Sequence, residues 1–378
     1  MRQGAIRTLS LAMLFVSFFQ VPAAYSANAG EEGGELLSSK ELGHVFEIRK
    51  GQGRKIIKGF DASRGQKIRL IGFGSMSLDQ LQAEIKRDEA DVLVNLGSDQ
   101  LRIIGASTDM ATSIQIELDR SNLIPTFVDD FDVLSLDLEK GSARAGTWQT
   151  NFGYGGVNSY TLVNNGELEV YVDPEFSGTG PTSLNLNPFQ IVDGKLEIIA
   201  QPLKEVVRQF AWGRSYSSGL LTSKKSFAQK YGLFEIRAKM PRGKGLWPAF
   251  WLLPANNTWP PELDVLEILG DNPKKLYASW HSNAGEKHSS ETKAIDVPDT
   301  SEGFHTYSVY WTKDAIEWFF DDVQVASKPT PPDFHQPMYM LVNLAVGGAW
   351  PGAPDNSTQF PARYTIDWIR AYAGNDEK

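Results

Sequence analysis

The chain of 378 residues contains no cysteine, which excludes several kinds of protein. Without thiols it can have no disulfide framework, no thiolate nucleophile and no cysteine-ligated zinc site. Basic residues are also in the minority, because 37 Lys and Arg stand against 46 Asp and Glu, for a formal net charge of -9. This charge argues against nucleic acid as the main partner, since a polyanion would be repelled.

Long apolar runs are scarce as well. The run near the start, Leu9 to Val21, is too short to span a bilayer comfortably. It follows the basic residues Arg2 and Arg7 and precedes Ala24-Tyr25-Ser26, a small-x-small cleavage pattern. We therefore predict a secretory signal peptide over residues 1–26, a secreted or periplasmic bacterial protein and no stable membrane insertion. An uncleaved membrane anchor is the alternative.

Helical periodicity is almost absent beyond residue 126. Short runs of alternating apolar residues bounded by Gly and Pro turns, such as GELEVYVD and YTIDWIRAYA, predict many short strands. Strands at this density are typical of a β-sandwich or β-barrel, so we predict an all-β domain.

A smaller β-rich module is predicted over residues 27–122, with one helical piece near Ser77 to Lys86 and a linker from Ser121 to Pro125. Its segment HVFEIRKGQGRKIIKGFD resembles the β-roll-associated segments of repeats-in-toxin proteins. The calcium-binding G-G-x-G-x-D nonapeptides of those proteins are missing, so calcium binding is not expected there. Glycan attachment, oligomerisation, secretion and a spacer role all remain open for this module.

Three carboxylates share one short segment, PELDVLEILG, from Pro261 to Gly270. Its aliphatic residues, bounded by Pro and Gly, predict a buried strand. Side chains alternate between the faces of a strand, so Glu262 and Asp264 share a face, and a β-bulge after Asp264 would return Glu267 to it. Two glutamates flanking an aspartate on one face suit double-displacement glycoside hydrolysis. A metal site or a solvated acidic edge is the alternative.

The string ELDVLE resembles the E-x-D-x-x-E signature of glycoside hydrolase family 16, the laminarinase, lichenase and agarase group, in its bulged form. The segment from Tyr231 to Pro254 resembles the two strands that precede the catalytic strand in this family. Another, Met338 to Gly352, resembles its late cleft strand. The resemblance covers about Phe127 to Tyr372 and implies a concanavalin A-like β-jelly-roll catalytic domain over residues 123–375.

The resemblance also implies a role for each acid. Glu262 matches the nucleophile, Glu267 the general acid and base, and Asp264 a neighbour that sets which glutamate keeps its proton. No cofactor is expected for catalysis. The implied reaction is endo hydrolysis of β-1,3 or β-1,4 linkages in a glucose-containing polysaccharide, either a bacterial exopolysaccharide such as succinoglycan or a β-glucan. A transglycosylase and a non-catalytic glucan-binding protein are the alternatives.

Aromatic residues indicate where sugar rings would pack, because tryptophan offers a large apolar plane. All ten tryptophans lie beyond the linker. Those inside alternating strand runs are predicted to lie in the core: Trp311, Trp318 and Trp368. Those near turns are predicted to contact substrate: Trp212, Trp247 and Trp350. Family positions implied for His281 and Asn343 add both to the substrate-binding residues.

A structural calcium ion is implied on the convex side of the fold, held by the carbonyl of Gly232 and by Asp367, since oxygen ligands suit calcium. The remaining histidines show no metal-ligand spacing, so no zinc site is predicted: His44, His288, His305 and His335. The protein is expected to be a monomer that binds a polysaccharide.

Overall fold

The computed structural model describes residues 33–73, 76, 78–106, 108–138, 146–285 and 287–374. The predicted signal peptide, residues 1–26, lies outside these residues. Within them, no helix has the length and apolar character needed to span a membrane.

The first part of the chain winds back and forth between two small stacks of strands. The strands are β1 Glu35–Ser38, β2 Val45–Arg49, β3 Arg54–Lys58, β4 Lys67–Ile71, β5 Ile85–Asp88, β6 Asp91–Leu96, β7 Asp99–Ile104 and β8 Ile114–Glu117. β1, β3 and β7 pair in parallel in one stack, and β2, β4 and β8 do so in the other. Alternate apolar side chains fill the space between the stacks, among them Phe46, Ile57 and Leu70.

Helices are short throughout. The predicted helical piece is confirmed as α1 Leu78–Glu84, and α2 spans Glu205–Arg208. Single 3₁₀ turns cover Ala62–Arg64, Thr108–Ser113, Gly156–Ser159, Val163–Asn165 and Pro332–Phe334.

The rest of the chain is a β-jelly roll, so the predicted all-β fold class is confirmed. Its strands are β9 Leu123–Asp129, β10 Glu169–Tyr171, β11 Phe189–Val192, β12 Lys195–Pro202, β13 Tyr216–Ser218, β14 Leu220–Thr222, β15 Gly232–Lys239, β16 Leu246–Pro254, β17 Glu262–Ile268, β18 Lys275–Ser282, β19 Ser289–Asp296, β20 His305–Trp311, β21 Ala315–Phe320, β22 Val323–Pro329, β23 Met338–Val346 and β24 Ala362–Gly374.

Two sheets form the sandwich. One has the order β14-β23-β16-β17-β18-β19, and we call it the site sheet. The opposing sheet runs β10-β13-β12-β24-β15-β20-β21-β22. Alternation puts one side of each strand into the shared core, where Phe250 and Leu263 of the site sheet meet Phe234 and Ile366 of the other. The other side of the site sheet is left free to carry function.

The predicted linker is shorter than expected. Residues 123–125 already belong to β9, where Leu123 pairs with Gly374 of β24. The small module is also joined to the sandwich, because Val323 of β22 pairs with Glu117 of β8. The amide of Leu118 donates to the carbonyl of Asp322 over 2.9 Å. The sequence of this stretch predicted a loop. Its residues instead pair with the final strand, β24, and so extend the sheet.

The side chain of Arg120 stabilises this junction between the small module and the sandwich. Its guanidinium donates to both carboxylate oxygens of Glu235, which is 1% exposed, and to Asp322 Oδ1 at 2.5 Å. Removing one partner of a buried ion pair leaves an uncompensated charge. We expect Arg120→Met to lower the free energy of unfolding by about 3 kcal/mol, measured by denaturant titration.

Arg49→Met is the matched control, because the ion pair between Arg49 and Glu47 is exposed to solvent. That substitution should cost less than about 1 kcal/mol. Equal losses in the two variants would contradict the assigned role of Arg120.

Candidate active site

The three acids of β17 lie on one face of the site sheet because the strand carries a bulge. The register against β18 shifts between Asp264 and Glu267, and the register against β16 shifts at the same level. Val265 and Leu266 both enter the core as a result. Glu262, Asp264 and Glu267 therefore line a single cavity of about 950 Å³. The predicted bulge is confirmed.

Burial in this cavity disfavours the ionised form of each acid. It raises the pKa of Glu262 to about 7 and that of Glu267 to about 7, and the charge of Glu262 contributes to the second shift. Burial and both neighbouring glutamates raise the pKa of Asp264 well above its usual range. Because the charge of Glu262 acts on Glu267, the two acids lose their protons in two steps, and a form that holds one proton exists between those steps. That form contains one carboxylic acid and one carboxylate near neutral pH.

Indole and hydroxyl donors distinguish the two glutamates. Trp259 Nε1 donates to Glu262 Oε2. Trp247 Nε1 donates to Glu267 Oε1 over 3.1 Å, and Ser279 Oγ lies 3.2 Å from Glu267 Oε2. A hydroxyl can donate or accept, so Ser279 can also hydrogen-bond a protonated Glu267.

Asp264 supplies a further hydrogen bond to the carboxylate of Glu262, which lowers the pKa of Glu262 against the effect of burial. Since burial and the two neighbouring glutamates raise the pKa of Asp264 well above its usual range, we expect Asp264 to act as a neutral donor. Asp264→Ala should therefore raise the pKa of Glu262 and move the acid limb of the kcat/KM profile upward by about one pH unit.

Asp264→Asn is the matched control, because the amide still donates to Glu262 and the acid limb should stay near its original position. The measurement is the pH profile of kcat/KM for the two variants. An acid limb that is the same in both would contradict a donor role.

Aromatic side chains form one wall of the cavity. Trp247 packs edge-on against Trp350 with the ring centroids 5.3 Å apart, and Trp350 also contacts Tyr277 at 4.8 Å. Trp350 is 41% exposed, so its ring is open to a ligand. Two of the three tryptophans predicted to contact substrate, Trp247 and Trp350, line the cavity.

His281 stands opposite Glu262 on β18 and lines the same cavity. Its Nε2 lies 3.9 Å from Asp264 Oδ2, and its Nδ1 lies 3.1 Å from Nε2 of His288. Burial, with a smaller effect of His288, lowers the pKa of His281. No pattern in the sequence predicted a contact between these two histidines. Among the described residues, Glu262, Asp264 and His281 offer ligand atoms within 4.8 Å of one another that could hold a metal ion.

Asn343 lies beneath the aromatic wall and not in the open cleft. Its Oδ1 accepts from Trp251 Nε1 at 2.8 Å and its Nδ2 donates to Tyr171 Oη at 2.9 Å. The side chain is buried at the edge of a small recess that the three acids of β17 also line. Its amide is therefore placed to hold Trp251, which lines the cavity.

Trp212 lies away from the cavity, so its predicted contact with substrate is corrected. The ring stacks on Tyr160 at 5.5 Å and packs near Phe176 at 6.3 Å, in a separate small cluster. Turn residues on both sides of Trp212 suggested exposure at a rim, but the turn folds inward. Trp311 and Trp318 are in the core as predicted, whereas Trp368 is half-buried beneath the guanidinium of Arg370 at 4.4 Å.

Gly232 and Asp367 do not come together, so the predicted calcium ligand pair is corrected. Gly232 begins β15, whereas Asp367 lies at the register shift beside Arg237 and Ala238, roughly 17 Å further along the strand. The carboxylate of Asp367 is already paired with Arg237 and lies 3.7 Å from Lys195. These residues do not fit a calcium site.

Two exposed aromatic residues of the cavity were not predicted from the sequence. Trp259 is 57% exposed and Tyr154 is 51% exposed, and both line the cavity. Trp259 lies in a turn next to prolines, three residues before Glu262. A turn next to a proline is also the signal that identified Trp350. Tyr154 lies in a Gly-rich loop distant in sequence, and nothing local marks it.

Comparison with known proteins agrees with this geometry. The family model described as glycosyl hydrolases family 16 matches residues 190–370, which include all of β17. The endo-1,3-1,4-beta-glycanase EglC of Rhizobium meliloti is 40% identical over 87% of this chain and 69% of its own length. The endo-1,3-1,4-beta-glycanase ExsH of the same organism is 40% identical over 81% of this chain and 64% of its own length.

Solved structures show the same fold. The laminarinase catalytic domain from Thermotoga maritima superposes with a TM-score of 0.54 at 31% identity. The match covers 68% of this chain and all of that domain.

Proposed function

Because the chain belongs to the glycosyl hydrolases of family 16 and is a glycoside hydrolase of the endo-β-glucanase type, we propose that it cleaves by double displacement. This proposal is supported mainly by the β-bulge, which brings Glu262, Asp264 and Glu267 into one cavity. The substrate we propose is a glucose-containing polysaccharide with β-1,3 or β-1,4 linkages, either a bacterial exopolysaccharide or a β-glucan. Names of the relatives support a β-glycan substrate.

In the first step the ionised Glu262 attacks the anomeric carbon, and a new bond forms between its oxygen and that carbon. The glycosidic carbon–oxygen bond breaks as Glu267 transfers its proton to the leaving oxygen. The donors on Glu262, Trp259 and Asp264, keep it ionised beside a protonated Glu267.

In the second step a water molecule attacks the same carbon from the side of the departed sugar. Glu267, now a carboxylate, takes a proton from the water, and the bond to Glu262 breaks. Two inversions give net retention of the anomer. The enzyme returns to its starting protonation state without any cofactor, and we propose that none is required.

Reducing-sugar release across a panel of polymers tests the proposal. The panel is laminarin, mixed-linkage glucan, agarose and succinoglycan, with wild type beside Glu262→Gln. We expect wild type to degrade at least one polymer and the variant to degrade none. No release from any polymer, with binding retained, would contradict hydrolysis. Added oligosaccharide acceptor separates hydrolysis from transglycosylation, because a transglycosylase would then yield fewer new reducing ends.

Secretion is a separate part of the proposal. It is supported by the basic start, the short apolar run and the small-x-small pattern in residues 1–26. Amino-terminal sequencing of protein recovered from outside the cytoplasm should begin at Ala27, and an intact Met1 would contradict cleavage. Size-exclusion chromatography tests the proposed monomer.

A further inference from the structure

A lysine stands at one end of the cleft without an acidic partner. The side chain of Lys224, two residues beyond β14, is half-buried, and its Nζ lies 5.6 Å from the ring centroids of both Tyr154 and Tyr339. No carboxylate and no hydrogen-bond acceptor contacts this ammonium in the described part of the chain. An ammonium has three N–H donors to offer, and aromatic faces satisfy its charge only in part.

The register of the site sheet places Lys224 in line with the catalytic acids. Thr222 pairs with Leu341, and the amide of Ser223 donates to Met340, so Lys224 stands opposite Tyr339. Tyr339 pairs with Leu253, and that row continues to Glu262 on β17 and to His281 on β18. Three strand spacings separate Lys224 from Glu262, which is roughly 14 Å across the sheet.

Tyr154 offers an aromatic ring on which a sugar could pack between Lys224 and Glu262. Its ring stacks on Phe152 with the centroids 5.5 Å apart and the planes at 1°, it lines the cavity, and it is 51% exposed. A sugar packed on this ring would hold its substituents close to Lys224 Nζ.

The charge around the cleft is otherwise negative. The described residues that line the cavity include three carboxylates and no Lys or Arg. Burial lowers the pKa of Lys224, which is the direction expected for a cation that lacks an anionic neighbour. A neutral glycan would leave this ammonium poorly solvated, whereas an anionic group would pair with it.

We propose that Lys224 binds an anionic substituent of the glycan, distant from the scissile bond, and so selects an acidic β-glycan over a neutral one. This inference rests on the proposed function and names the substrate class of the same site. Any sugar-borne anion shares this chemistry, so carboxylate and sulfate groups are compared in the test.

The test compares one mixed-linkage glucan in three forms: neutral, carboxymethylated and sulfated. For Lys224→Met, which keeps the apolar stem and loses the charge, we expect the ratio of kcat/KM on an anionic form to that on the neutral form to fall about fivefold. Lys224→Arg should keep the ratio. The control is Lys225→Met, because Lys225 is exposed and pairs with Asp137 at 3.4 Å.

Binding is measured in parallel on the Glu262→Gln background, so that a failure of turnover does not hide the result. Adding Lys224→Met should weaken binding of an anionic polymer about fivefold, and the difference should vanish at high salt. An unchanged selectivity ratio and unchanged binding would overturn the inference while leaving the hydrolase proposal intact. An equal loss on neutral and anionic forms would also overturn it, because Lys224 would then only brace Tyr154.

Discussion

Glu262→Ala should abolish hydrolysis, with kcat/KM lowered by at least about 10⁴-fold. The variant lacks the carboxylate that we propose attacks the anomeric carbon and forms the covalent intermediate. Folding should be preserved, because the core-facing side of β17 is formed by Leu263, Val265, Leu266 and Ile268. Removal of a carboxylate whose pKa is raised by burial also relieves a desolvation cost.

Azide should restore part of this activity. The small anion fits the space vacated by the side chain and attacks the anomeric carbon from the same side. Because only one displacement occurs, the product should be the α-glycosyl azide, detectable by NMR and mass spectrometry. Glu291→Ala is the control, since Glu291 is an exposed acid on β19, two strands away from β17, and pairs with Lys328. Full activity of Glu262→Ala would remove the basis of the proposed mechanism.

Glu267→Ala should lower kcat/KM on polysaccharide by about 10²- to 10⁴-fold. The loss should be much smaller for an aryl glycoside whose leaving group needs no protonation. With no base to activate water, the glycosyl-enzyme should then accumulate, and mass spectrometry would detect it. Azide should release it as the β-glycosyl azide, the opposite anomer to that from Glu262→Ala.

The pH profile adds an independent check on Glu267. In wild type, kcat/KM should fall as the pH rises above about 7, because the general acid loses its proton there. A glutamine cannot titrate, so Glu267→Gln should show a low activity without this basic limb. A basic limb that persists unchanged in Glu267→Gln would assign the titration to another group.

Much of the active site was accessible from local sequence, because it lies on one strand. Glu262, Asp264 and Glu267 are within six residues, and strand alternation alone requires the bulge that the structure contains. Trp247 and Trp350, which lie near turns in the sequence, both line the cavity, and their contact with substrate stays a prediction. His281 is paired directly with Glu262 on the adjacent strand.

Features that depend on distant pairings were harder to predict. The contact of His281 with His288 follows from the β18–β19 pairing, which no local pattern reveals. Trp212 also lies near a turn in the sequence, as Trp350 does, but its ring packs against a separate hydrophobic cluster. The error over Gly232 and Asp367 has the same origin, because the register of β15 against β24 decides which residues meet. Strand register is set by the whole sheet and not by the strand's own sequence.

The anomeric configuration of the first product tests the double displacement most directly. Proton NMR during the first minutes of hydrolysis, before mutarotation, reports the anomer released from a β-linked substrate. The arrangement of Glu262 and Glu267 predicts that the β-anomer appears first and the α-anomer follows by mutarotation. Initial release of the α-anomer would mean a single displacement by water and would contradict the assignment of Glu262 as the nucleophile.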